Sequence, residues 1–283
     1  MNHFLTIDYE EWYHVHYPGL EKSRAPKLIN RIDVTTGYLL ELLSTTDSQA
    51  TFFVLGEIAQ MHPELIVEIH NAGHEIACHG WGHELIDELT QSELEESIIK
   101  ARDVLENTVN EKIKGFRAPN FSVSPSNIKK LLDVLEKCDF VYDSSVFSGK
   151  LYYGGIKDAP PFEHIFTGYN IIEFPPSAGN FLGINYPLGG FYIRLLPAGI
   201  IRKAIYKIEK KNKRANIYIH PKDLDSENPS LPAGPIINWI HNVGCGKSKA
   251  KFRELLKSFR FISISEGIAG KVQDAKEEEK TDK

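Results

Sequence analysis

The sequence predicts an α/β fold built on a mainly parallel sheet. Three observations carry that prediction. Short β-branched and aromatic runs alternate with amphipathic helical stretches along the 283 residues, the order expected when each helix returns the chain to begin the next parallel strand. Ionisable or metal-ligating residues stand just after five of the strand-like runs, where such folds collect their functional groups. The alternation then breaks between about 147 and 197, in a stretch rich in Gly, Pro, Tyr and Phe of the kind that forms lids and binding loops.

The elements follow in order. "HFLTIDY" is the first strand, and "KLINRIDVTTGYLLELLSTT" has apolar residues at helical spacing (Leu28, Ile32, Leu39, Leu40, Leu43). "ATFFVLG" is the second strand, and "PELIVEIHNAG" a helix closed by Gly73. "HEIACH" is the third strand. "LTQSELEESIIKARDVLENTV" is a helix opened by a capping box, Thr90 with Glu93. "IKGFRAP" is the fourth strand, "SPSNIKKLLDVLEKC" a helix with Pro125 in its first turn, and "FVYDSSV" the fifth strand. "NIIEFPP", "RANIYIHP" and "FRFISI" are later strands. No repeat or linker divides residues 1–271, so they are expected to form one domain with 147–197 as a lid or substrate-binding insertion. The charged, aperiodic segment 272–283 reads as a disordered tail.

Composition narrows the function. A formal charge of −5 gives no long-range attraction for nucleic acid. Three scattered cysteines, Cys78, Cys138 and Cys245, build no disulfide framework and suit a reducing compartment. The acidic start "MNHFLTIDYEEWYH" is no signal peptide, and no apolar run approaches the roughly 20 residues of a membrane span. A cytoplasmic location is therefore expected. "VGCGKS" (243–248) ends like a phosphate-binding loop, but His241 stands where the earlier glycine is required, so nucleotide binding is rejected.

The strand ends carry hydrolytic chemistry. His79 and His83 in "HGWGH" are spaced to share one metal ion, and two histidines with one carboxylate leave a position for water. Asp8 and Glu10 are two apart and share a strand face, so one can ligate while the other acts as base; Glu11 competes with Glu10 as the ligand. Arg117 can hold a carboxylate in its charged form. His220 follows a strand and can protonate a leaving group, with Asp143 a candidate to fix its tautomer. His74 reads as structural. His14 and His16 reach the site rim or stay on the surface. Tyr152, Tyr153, Tyr186 and Tyr192 in the insertion offer faces for sugar rings or for core packing.

Together "TIDYEE", "HGWGH", "RAPN", "YDSS" and "IHP" resemble the polysaccharide deacetylases of carbohydrate esterase family 4. The closest likeness is to the branch found in exopolysaccharide gene clusters, through "LTIDYEEWYHV", "FRAPNFSVSP", "GGFYIRLLP" and "YIHPKDLD". The resemblance implies a distorted (β/α) barrel of about seven parallel strands, with a long insertion after the fifth. It implies metal-dependent removal of acetyl from an N-acetylated sugar of a polysaccharide, oligosaccharide or lipid-linked precursor, with peripheral membrane contact in the last case. It implies Asp8 as base, Glu10, His79 and His83 as ligands, Arg117 holding the base, His220 as acid, Asp143 supporting it, and the Asn120 backbone N–H at the oxyanion. Zinc is the expected metal, with Co, Ni, Fe or Mn as alternatives. Trp12, His14, Trp81, Tyr192 and Arg194 are expected to line the substrate path. The family's first motif has adjacent aspartates, whereas here Tyr9 follows Asp8 and the next carboxylate is Glu10; Gly80 replaces a hydroxyl residue after the first histidine. The rival expectations are C–N hydrolysis of a cyclic ureide or purine-derived ring, and a non-catalytic glycan-binding protein.

Overall fold

The computed structural model of the chain describes residues 1–17, 30–181 and 184–270. The expected tail and the first residues of the expected 27–46 helix lie outside them. The strands are β1 (Asn2–Tyr9), β2 (Thr51–Val54), β3 (Glu75–Cys78), β4 (Gly115–Phe116), β5 (Tyr142–Asp143), β6 (His164–Ile165), β7 (Ile172–Glu173), β8 (Ala178–Phe181), β9 (Ile184–Pro187), β10 (Asn216–Ile219) and β11 (Arg260–Ile262). Their order is β10-β1-β2-β3-β4-β5-β7-β6. The first seven of that path run parallel, β6 is antiparallel to β7, β11 pairs parallel with the start of β1, and β8–β9 is a separate hairpin. The sheet curls into a half-barrel. Its open side is bridged where Ser177 N–H donates to the Asn216 carbonyl (2.8 Å) and Gly189 forms a parallel bridge with Tyr218.

The helices are α1 (Ile32–Ser44), α2 (Gly56–Met61), α3 (Pro63–Asn71), α4 (Gln91–Val109), α5 (Ile128–Lys137), α6 (Gly190–Leu195), α7 (Ala198–Glu209), α8 (Pro235–Asn242) and α9 (Cys245–Ser258). The capping box of α4 forms as expected: Thr90 Oγ accepts from Glu93 N–H, and the Glu93 carboxylate accepts from Thr90 N–H. Gly73 is left-handed (φ 87°) just past α3, a stop that residues with a Cβ resist. Pro125 lies before α5 rather than in its first turn. The stretch 147–197 is not one loop, since it holds β6, β7, the β8–β9 hairpin and α6. "VGCGKS" joins α8 to α9, with no strand leading into it.

Side-chain parity decides what reaches the site. Along β1, Leu5, Ile7 and Tyr9 join the large core under the helices, while Phe4 joins a smaller cluster with Phe53, Ala77, Tyr142, Phe174, Ile262 and Ile264. Alternate residues of a strand point to opposite faces, so Phe4, Thr6 and Asp8 share the inner one. The same rule puts Tyr142 and Ser144 inside and Asp143 outside. Gly115 makes room for the inner Tyr142, whose ring a Cβ would meet at 1.9 Å.

Candidate metal and catalytic centre

The site lies at the C-terminal ends of β1, β3, β4 and β10. Glu10 follows β1, His79 follows β3, and His83 closes the loop after it. One ligand atom from each falls within 4.8 Å of the others, and all three residues are buried. Glu10 Oε2 and His83 Nε2 are 2.6 Å apart. Yet Glu10 Oε2 has no well-aligned hydrogen bond, as expected of an oxygen set to share a cation with ring nitrogens. His79 Nδ1 faces the Arg117 carbonyl at 2.7 Å; with the proton on Nδ1, Nε2 is left as the donor atom, the usual support of a metal-binding histidine. His83 Nδ1 is 3.2 Å from His16 Nδ1, and the two rings stack at 5.1 Å. His83 is left-handed, φ 66°, a strained conformation of the kind that gathers at functional sites.

The electrostatics suit a cation. Burial pushes His79 down to about 4 despite Asp8 beside it, and burial also lowers His83 against the pull of Glu10. Burial would raise the Glu10 carboxyl, but His83, then His220 and His79, hold it below the usual carboxylate range. A neutral histidine pair with an ionised carboxylate is the form that binds a divalent metal.

Asp8 and His220 flank this pocket. Asp8 Oδ1 accepts from the buried Arg117 guanidinium at 2.6 Å. Arg117 also donates to Thr6 Oγ1 (2.9 Å), Ser144 Oγ (2.7 Å) and the Ser144 carbonyl (3.1 Å), and its guanidinium lies 4.1 Å from the Phe53 ring centre. His220 Nε2 stands 3.9 Å from Asp8 Oδ2 and 3.8 Å from Glu10 Oε1. Those gaps are too wide for hydrogen bonds and leave space for a reacting atom. Asn120, also left-handed (φ 53°), follows Pro119 beyond β4, and its side chain contacts His16 at 2.8 Å.

The structure gives Glu10 and Glu11 different surroundings. The Glu11 carboxylate accepts from the backbone N–H groups of Arg31 (2.7 Å), Ile32 (2.8 Å) and Trp12 (3.2 Å). It therefore caps the start of α1, satisfying donors that a helix leaves open, and among the described residues Glu10 is the carboxylate grouped with His79 and His83.

Asp143 does not support His220. It faces outward, accepts from Ser145 Oγ and pairs in register with Glu173. Burial raises Asp143 to about 6 and, reinforced by the Asp143 charge, Glu173 well above its usual range. The partner of His220 is Asp223, three residues on. Its Oδ2 lies 3.0 Å from His220 Nδ1 and accepts from His220 N–H at 2.8 Å. Asp223 Oδ1 in turn lies 2.7 Å from Arg194 Nε. Burial opposes both charges, but Asp223 raises His220, while His220 and Arg194 hold Asp223 far below the carboxylate range.

Several residues expected on the substrate path do other work. Arg194 is buried, and besides Asp223 it donates to the carbonyls of His241 (3.1 Å), Val243 (2.7 Å) and Ile240 (3.2 Å). His14 is buried, with its ring 6.2 Å from that of His83; its Nδ1 accepts from Glu11 N–H at 3.0 Å and its Nε2 meets Glu57 at 2.6 Å. Trp12 is buried against the Tyr13 and His241 rings. Trp81 turns to α2 and α4, against Gly56 and with Lys100 Nζ 3.4 Å from its ring centre. Tyr192 is half-buried and packs 5.4 Å from Tyr186. The spacing of "HPKD" was the one sequence signal for Asp223, because an acidic residue three positions on commonly returns to the backbone N–H of the first.

Residues 27–141 match the family model Polysaccharide deacetylase, and residues 144–269 match a domain of unknown function, DUF3473. Over 83 residues the chain is 35% identical to the peptidoglycan-N-acetylmuramic acid deacetylase PdaC of Bacillus subtilis, covering 29% of this chain and 17% of that protein. Over 94 residues it is 30% identical to a peptidoglycan-N-acetylglucosamine deacetylase of Bacillus cereus, covering 33% and 34%. The chain thus spans 17% and 34% of the length of these relatives. A solved Mycobacterium smegmatis protein assigned to the polysaccharide deacetylases superposes with TM-score 0.59 at 18% identity, over 97% of this chain and 92% of that one. The chain thus matches the polysaccharide deacetylase model over residues 27–141 and the DUF3473 model over residues 144–269, and it shares the fold of the solved Mycobacterium smegmatis protein.

Proposed function

We propose that the protein is a metal-dependent hydrolase that removes the N-acetyl group from a GlcNAc-type sugar in a glycan or its lipid-linked precursor. One observation carries the reading: a two-histidine, one-carboxylate pocket lies between an arginine-held aspartate and an aspartate-held histidine, with gaps of 3.8–3.9 Å at its centre. The relatives named as peptidoglycan deacetylases support it. Glu10, His79 and His83 would hold a divalent ion, for which we propose zinc because the donors are two imidazoles and one carboxylate. Bound there, the ion supplies Lewis acidity toward the acetamide carbonyl and toward water.

The chain's own groups do the proton work. Arg117 holds one oxygen of Asp8, leaving Oδ2 to take the proton of the attacking water. The Asn120 N–H donates to the oxygen that becomes negative. Asp223 fixes the proton on His220 Nδ1, so a protonated His220 presents its Nε2 proton to the departing amine. Asp8 and Glu10 lie before the deacetylase match, while His220, Asp223 and Arg194 fall within the DUF3473 match. In this reading the domain of unknown function supplies the acid. No helix among the described residues is long and apolar enough to cross a membrane. The unpaired, buried Cys78, Cys138 and Cys245 suit the cytoplasmic setting we propose.

The test is acetate release from N-acetylated oligosaccharides and lipid-linked sugars, with and without a chelator. Asp8→Asn is expected to keep the metal and lose roughly 10²–10⁴-fold in turnover. A chain that carries no stoichiometric metal and releases no acetate would leave the glycan-binding alternative.

A further inference from the structure

We propose that the groove between α7 and the β8–β9 hairpin is a docking site for the phosphate headgroups of an anionic lipid bilayer. The groove is a cavity of about 610 Å³, separate from the metal pocket. Its floor and walls are largely apolar, formed by Phe162, Tyr186, Ile200, Ala204 and Ile208. Its rim carries Lys203, Lys207, Lys210 and Lys211, all exposed, and no Asp or Glu among the residues that line it. Lys211 and Lys213 both place their ammonium 5.9 Å from the Phe162 ring centre.

The helix itself explains why these groups gather. α7 buries Ile201, Ile205 and Ile208. At helical spacing its opposite face presents Ile200, Lys203, Tyr206, Lys207 and Lys210 to solvent. Ile200 is 38% exposed and Tyr206 49%. A surface helix that displays an aliphatic and an aromatic side chain among lysines is suited to the headgroup layer, where the rings and stems bury and the ammonium groups meet phosphate. The wider charge distribution agrees. Between Phe191 and Arg260 there are 15 Lys or Arg against 5 Asp or Glu, although the whole chain has a formal charge of −5. The positive charge is thus concentrated in this stretch of an otherwise acidic chain, and α7 carries Arg202, Lys203 and Lys207 of it.

The groove is linked to the catalytic pocket. Tyr186 on its wall packs against Tyr192 of α6, and a Cβ on Gly190, at the start of α6, would lie 3.2 Å from the His220 ring. Docking through this face would hold the pocket close to substrates that are themselves attached to the bilayer. That consequence rests on the proposed activity, but the docking does not.

The test is sedimentation of the full chain with vesicles of phosphatidylcholine, with or without about 30 mol % phosphatidylglycerol. Binding at least roughly tenfold stronger to the anionic vesicles, weakening as salt is added, is expected. Lys203→Gln, Lys207→Gln and Lys210→Gln together should reduce it roughly a hundredfold, since each lysine near the surface is worth about a factor of five. Ala204→Glu, which sets a carboxylate in the groove, should also weaken it. Equal binding to neutral and anionic vesicles, or wild-type binding by the triple lysine variant or by Ala204→Glu, would overturn the proposal. So would binding of inorganic phosphate without any partition onto vesicles, which would assign the lysines to a free anion. Acetate release plays no part in the readout, so failure here is distinguishable from failure of the proposed reaction.

Discussion

Asp223→Asn tests the site most sharply, because the sequence pointed to Asp143 for the same role. Asparagine keeps an oxygen for His220 Nδ1 but removes the charge 3.0 Å away. At that distance and an effective dielectric constant of about 20, imidazolium and carboxylate attract by roughly 5 kcal/mol. Arg194, 2.7 Å from the other carboxylate oxygen, offsets part of this, so about 3 kcal/mol is a working figure for the charge removed from His220. If the protonated ring is needed in the transition state, turnover on an N-acetyl sugar should fall about a hundredfold. An aryl acetate, whose leaving group departs unprotonated, should be spared. Metal content should be unchanged, since Asp223 is not in the ligand set. The assay is kcat and KM for both substrates, with metal measured on the same samples. Asp143→Asn is the control and should lose less than tenfold, an order-of-magnitude allowance for displaced support around Ser145. The reasoning is refuted if Asp143→Asn loses as much as Asp223→Asn on the amide, or if Asp223→Asn loses both substrates equally.

His79→Ala and His83→Ala should each leave the purified protein without stoichiometric metal by elemental analysis; full occupancy in either would remove that residue from the site. Glu10→Gln should weaken metal binding in a competitive titration. Glu11→Gln should keep the metal and instead lower stability by about 1–3 kcal/mol in denaturant melts, because three backbone donors lose an ionised acceptor. The buried Asp143–Glu173 pair predicts a pH effect. Both native carboxyls sit above their unfolded values, so the folded chain binds more protons and its stability falls as pH rises from about 4 through about 6. For Asp143 alone the effect is on the order of 3 kcal/mol. Glu173→Gln, which keeps a donor for Asp143 without a second titrating acid, should flatten that fall between acid and neutral melts; an unchanged slope would show that the pair is not its source.

Much of the site was legible because strand periodicity and strand ends are local. An apolar run ending in "DYE" places Asp8 and Glu10 on one face, and "HGWGH" puts two ligands on one short loop, whatever the rest of the chain does. The same periodicity, applied to "YDSS", would have turned Asp143 away from the pocket once Tyr142 was known to face inward; that knowledge came only from the register of β5 against β4 and β7. Arg194 illustrates the other limit. In sequence it is an arginine in an aromatic stretch and reads as a substrate contact. The fold brings it to Asp223 and to three carbonyls at the α8–α9 turn, contacts 29 to 49 residues away along the chain. Glu11 stayed a rival to Glu10 for the same reason, because the N–H groups that donate to its carboxylate, those of Arg31 and Ile32, begin a helix that only tertiary packing places there. Local spacing thus determined which residue types face the pocket. Long-range packing decided which of them touch each other, because a hydrogen bond or a metal ligand set depends on distances of a few ångströms that no local pattern encodes.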